Sequence, residues 1–137
     1  MEIDNRQEGV IKLIRKKVWL NQAIEMNSEL ILKGEQTDEI GKLEPTGQVI
    51  VDSEELSFVY LAEEKSEYTY LYLPDFIWPE LIEAMKKNQK INVHIGENKM
   101  ELKQLEEELN DLVLNIEGNS NYGDAMVEKV ESIFIKG

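Results

Sequence analysis

No cysteine occurs anywhere in the 137 residues. Disulfides, thiolate metal sites and thiol catalysis are therefore excluded. Positive charge is also scarce: 15 Lys and Arg stand against 28 Asp and Glu, a formal net charge of −13. Such a surface repels phosphates and anionic membranes, which argues against a conventional DNA or RNA binder and against membrane association. Histidine occurs once, as His94, and Ser53, Ser57 and Ser66 stand in no nucleophile-elbow context. No apolar run approaches the roughly 18 residues that a membrane helix needs. The opening "MEIDNRQEGV" is acidic and polar and lacks the apolar core of a signal peptide. A cytoplasmic protein without cofactor or metal is the expectation. There is no internal repeat and no low-complexity tract.

What is present reads as one soluble domain over residues 1–137, with 42% apolar and 31% charged residues. "VIKLIRKKVWL" and "SELILKGE" are rich in branched apolar residues and predict two strands paired across the polar "NQAIEMNS". Gly41, Pro45 and Gly47 predict a flexible loop over 35–47. "QVIVD" is a short strand. "LSFVYLAEE" and "SEYTYLYL" alternate strictly and predict an antiparallel hairpin across "AEEKSE". In it Phe58 and Tyr60 share one face and Val59 and Leu61 the other; Tyr68, Tyr70 and Tyr72 likewise oppose Thr69, Leu71 and Leu73.

The period then changes. Pro79 and Glu80 suit a first helical turn, Leu81, Ile82 and Met85 an apolar face, and Lys86 and Lys87 a C-terminal end. "KINVHIGENKMEL" predicts two short strands about a tight turn at Gly96–Asn98. Leu102, Leu105, Leu109, Leu112 and Ile116 predict the clearest helix, with Glu106, Glu107, Glu108 and Asp111 on its solvated face and Gly118 ending it in a left-handed conformation. "DAMVEKVESIFIKG" predicts a last helix. The sum is an α+β domain: a mainly antiparallel sheet, helices packed on one face, and a C-terminal pair of antiparallel helices.

The candidate site is the junction of that pair, "NIEGNSNYGDAMVE". As a corner, Gly118 closes one helix, Asn121 caps the next with Asp124 three residues later, and Tyr122 lies over the joint. As a calcium loop, Glu117, Asn119, Asn121 and Glu128 have the right spacing, but Tyr122 stands where the sharp turn needs glycine. As a phosphate cradle it lacks the lysine and the preceding strand. The corner reading is the plainest. It leaves Glu117, Asn119, Asn121, Tyr122 and Asp124 as candidate contacts for a protein partner, with Tyr122 as aromatic anchor. Trp78, His94, Arg15 and Trp19 are weaker candidates. Trp78 is more readily a core residue, His94 lacks a nucleophile or orienting partner, and the lysines of "RKKVW" read as protection for an edge strand.

"VDSEELSFVYL", "LPDFIWPELIEAM" and above all "NIEGNSNYGDAMVEKVESIF" resemble a family of short, uncharacterised proteins from Bacillus-type bacteria. The likeness covers residues 45–135 and implies a cytoplasmic bacterial protein, with no activity, substrate or site residue to carry over. Three readings of function follow. The first is a non-catalytic interaction or regulatory module with a protein partner. The second is a small-ligand binder or enzyme with a pocket between sheet and helices, lined by Tyr68, Tyr70, Tyr72 and His94. The third is an acidic mimic of nucleic acid, motivated by the charge.

Overall fold

The computed structural model describes residues 16–34 and 40–137; expectations for 10–15 and 35–39, and the candidate Arg15, lie outside the described residues. Seven strands are found among them: β1 Lys16–Met26, β2 Glu29–Gly34, β3 Glu44–Asp52, β4 Ser57–Glu64, β5 Glu67–Pro74, β6 Lys90–Ile95 and β7 Asn98–Glu101. The helices are α1 Trp78–Lys86, α2 Leu105–Ile116 and α3 Asp124–Val130, the last running into a π turn over Glu131–Ile135.

The sheet order is β3-β4-β5-β1-β2-β6-β7. Hairpin neighbours pair antiparallel, but β1 runs parallel to β5 and β2 parallel to β6. The sheet is thus mixed, not mainly antiparallel, and it curls into a half-barrel. The correction has a simple cause: hairpins announce themselves by local turns, whereas parallel pairing joins segments that are distant in sequence. The same finding places β1 in the middle of the sheet, so Lys16 and Lys17 guard no edge. Lys16 instead bonds Glu64 at 2.8 Å, and Lys17 sits over the Tyr72 ring.

The turns are tighter than the polar connectors suggested. Most of "NQAIEMNS" is strand, and β1 turns into β2 through Asn27–Ser28 alone, both at positive φ. β4 turns into β5 through Lys65–Ser66 in the same way. Two residues at positive φ give the twist that matches paired strands. The expected flexible loop is also partly structural. Ile40 and Leu43 are buried, and β3 begins at Glu44, with a bulge between Pro45 and Gln48.

The rims of the half-barrel are stitched together. Asn98 at the start of β7 accepts from the Leu43 N–H (3.3 Å) and donates to the Ile40 carbonyl (3.4 Å). Tyr60, fully buried on β4, donates to the Lys103 carbonyl (2.9 Å) and accepts from the Gly47 N–H (3.1 Å). Gly47 has φ of 78°, a left-handed conformation that favours glycine, and lies against the Gln104 side chain.

Period-two alternation sorts the two faces. Leu20, Leu32, Phe58, Leu71, Leu73 and Val93 point inward and join Trp78, Leu81, Leu109, Ile116, Met126 and Val130 from the helices in one core. Trp78 is 0% exposed, donates to the Leu73 carbonyl at 2.9 Å, and packs against Phe58 and Phe134. It is the core residue its context suggested. Tyr70 and Tyr72 lie on the opposite, outer face, where Tyr72 clusters with Val59 and Leu61. The tyrosines therefore line no pocket between sheet and helices: Leu71 and Leu73 take the helix-facing positions.

Candidate ligand-binding cleft

β1 changes partner partway along its length. Residues 16–19 pair with β5; Leu20 pairs with Gly34 of β2 and, after a bulge at Asn21, residues 22–26 continue along β2. Bulges bend a strand and open space beside it. Here a cleft of about 590 Å³ opens, lined by Asn21, Gln22, Lys33, Phe76 and His94. That volume lies in the usual range for small-molecule sites. Gly34 and Gly96, which follow the last side chains of β2 and β6, complete the lining. A Cβ on Gly34 would meet the Trp19 carbonyl oxygen at 2.7 Å and Val18 Cγ1 at 2.8 Å, so glycine is required where β2 closes on β1.

Register aligns the polar groups. Gln22 pairs with Lys33, Lys33 with His94, and His94 with Lys99, one row across β1, β2, β6 and β7. Leu32, Val93 and Met100 point into the core, so this row faces outward. Among the described residues, the side chains of Lys33, His94 and Lys99 form no hydrogen bond or ion pair. Burial, then the positive charges of Lys99 and Lys33, hold the His94 imidazole below its ordinary pKa; Glu29 pulls weakly the other way. The ring is accordingly neutral at pH 7, with one N–H donor and one acceptor nitrogen. Phe76, in the turn Asp75–Ile77 after β5, is 61% exposed at the rim.

Of the residues nominated from sequence, only His94 lies in this cleft. Trp19 is 36% exposed farther along the outer face and packs on Tyr72 at 4.4 Å between ring centroids. Tyr68 meets Tyr70 edge to face on the same surface. Tyr72 donates to Asp52 at 2.7 Å. The 117–124 junction turns the chain by a different device from the one expected. Gly118 and Gly123 both take positive φ, and α3 starts from Gly123 without a side-chain cap, so Asn121 is not its N-cap. Asn119 organises the turn instead, accepting from the Asn121 N–H (3.0 Å) and donating to the Asn115 carbonyl (3.1 Å). Glu131 accepts from the Gly118 N–H at 2.9 Å. Tyr122 is half-buried against the core, while Glu117, Asn121 and Asp124 face solvent.

Among the described residues no group of three or more His, Asp or Glu is arranged to hold a metal ion. No described helix is long and apolar enough to cross a membrane. Sequence reasoning missed Asn21, Gln22, Lys33 and Phe76. Strand parity in "LILKG" puts Lys33 opposite the core-facing leucines, but only the β2–β6 pairing brings it beside His94.

Fold and cleft together define an α+β half-barrel domain with a polar groove on the outer face of its sheet. Residues 18–134 match the family of unknown function UPF0738, and the chain belongs to that family. A UPF0738 protein of Bacillus cytotoxicus is 38% identical over 123 residues, covering 89% of this chain and 100% of the relative. UPF0738 proteins of Bacillus mycoides and Bacillus cereus are 35% identical over the same coverage. No solved structure matches.

Proposed function

We propose that the protein is a non-catalytic binding module whose ligand is a small molecule held in the outer-face cleft. The observation that carries this reading is the convergence there of Lys33, His94 and two amide side chains on a 590 Å³ space beside an exposed Phe76. A site of that kind supplies orientation through a few polar groups and affinity through an apolar surface. The other readings have less beneath them. The aromatic residue of the 117–124 corner packs on the core, and the acidic residues of α2 spread along a solvated helix face.

The test is a fragment screen against the ¹⁵N-labelled full chain. Amide shifts should cluster on Asn21, Gln22, Gly34, His94 and Gly96, and Phe76→Ala should weaken the hits about five-fold or more, the scale of one lost aromatic contact. Shifts clustering at 117–124 instead would return the corner to first place.

A further inference from the structure

We propose that the cleft is an oxyanion site: it takes a small ligand that joins a phosphate or carboxylate group to an apolar or planar body. The inference deepens the binding-module reading and rests on it. In a chain of net charge −13 acids are plentiful, and some lysines pair with them. Lys16, Lys42, Lys86, Lys87 and Lys129 do so. Lys33 and Lys99, like Lys65, Lys90, Lys103 and Lys136, do not; what sets these two apart is that they flank the only histidine in one cross-strand row. With strands about 4.8 Å apart, Lys33 and Lys99 are separated by roughly 10 Å at the backbone, with the imidazole midway. Long lysine stems can close that span around one anionic group, and the imidazole supplies a directed N–H between them.

Acids also border this row, Glu101 among them on the face of β7 that carries Lys99. Glu29, on the same face of β2, accepts from Asn92 at 2.8 Å, and Asp75, beside Phe76, pairs with Lys129 at 3.5 Å. Asn21 and Gln22 add neutral amide donors on the β1 side. Phosphate and carboxylate share the chemistry that this row reads: concentrated negative charge and acceptor-only oxygens. Phe76 gives the rest of the ligand a surface to lie on.

Because His94 is unique, its imidazole signals in NMR are assigned without ambiguity. Bound negative charge relieves the repulsion from Lys33 and Lys99, so the ring must take up protons more readily when the site is filled. The experiment titrates His94 in the full chain alone and with inorganic phosphate, phenyl phosphate, benzoate or benzyl alcohol. Phenyl phosphate and benzoate should each raise the His94 pKa by about half a unit or more at saturation, which is about three-fold tighter binding to the protonated ring. Inorganic phosphate should do the same with weaker affinity, and benzyl alcohol should leave the pKa unmoved. Lys33→Met, which keeps most of the apolar stem, should weaken phenyl phosphate at least about five-fold in low salt while benzyl alcohol is unaffected. If benzyl alcohol binds as well as phenyl phosphate, the oxyanion assignment falls and the cleft reading stands. If no probe at millimolar concentration shifts His94, Gly34 or Gly96, both fall.

Discussion

Replacing Tyr60 with phenylalanine should loosen the closure of the half-barrel without disturbing its core. The ring of Tyr60 is fully buried on β4 and its hydroxyl joins two otherwise separate pieces of chain, the bulge at Gly47 and the β7–α2 connection at Lys103. Burial holds the phenol above its ordinary pKa, so it remains an O–H donor throughout the accessible range. Phenylalanine fills the same volume, so no cavity term arises. What is lost is one hydrogen bond in each direction. Lys103 is exposed and water can take over its carbonyl, whereas the half-buried Gly47 N–H has no such easy substitute. A net cost of about 1.5 kcal/mol follows, within the usual range for such bonds. With an unfolding entropy near 2.1 cal/mol/K per residue, a chain of 137 residues should lose roughly 5 °C in Tm. The assay is thermal unfolding by circular dichroism with a parallel urea titration. The urea midpoint should fall while the slope m stays constant, since the same surface is exposed on unfolding. A Tm change below about 1 °C would refute the claim that this hydroxyl holds the rims together.

Two further outcomes follow from the geometry. Gly34→Ala should destabilise the fold by about 2 kcal/mol or more, read as a lower urea midpoint, because the new methyl meets the Trp19 backbone carbonyl rather than a yielding side chain; an unchanged midpoint would mean that β1 and β2 approach less closely. The Glu64 carboxylate lies below its ordinary pKa of 4.5, held by the Lys16 hydrogen bond and then by the Gly41 N–H. Its contribution to stability is therefore complete above that value and is lost as pH falls through the lower, folded one. Glu64→Gln should be less stable than the parent near neutrality, and the difference should shrink on acidification below about pH 4.5; a gap that stays constant with pH would contradict the assignment.

How far the sequence spoke depends on how local each signal was. The β4–β5 hairpin was plain because strict alternation from Phe58 to Leu73 needs no distant partner to interpret it. Helix α2 was plain because Leu105, Leu109 and Ile116 repeat at helical spacing, and Gly118 stopped it as expected, at φ 67°. Parallel pairing left no such trace. Nothing in "KKVW" indicates that Lys17 aligns with Tyr70, or in "LILKG" that Lys33 aligns with His94. The tyrosines of β5 were assigned correctly to one face, but which face met the helices depended on Leu71 and Leu73 outcompeting them for the dry side. The cleft was invisible for the same reason: its residues come from four segments, and the bulge at Asn21 lies in the β1–β2 pairing, which the sequence of β1 alone does not reveal. At the junction Asn121 was a good cap by type, but α3 starts from Gly123 without a side-chain cap, and Asn119 caps the short turn Ser120–Tyr122 instead.

The central position of β1 has a consequence for how this chain assembles. Its partners on β5 lie roughly fifty residues onward, and those of β2 on β6 roughly sixty, so both parallel seams impose large loop-closure costs. The hairpins can zip within microseconds of being available, each around its own turn. A nascent chain therefore emerges as three ready-made antiparallel pieces that wait for one another, and the two seams that fuse them are the last to knit and the natural place for unravelling to begin.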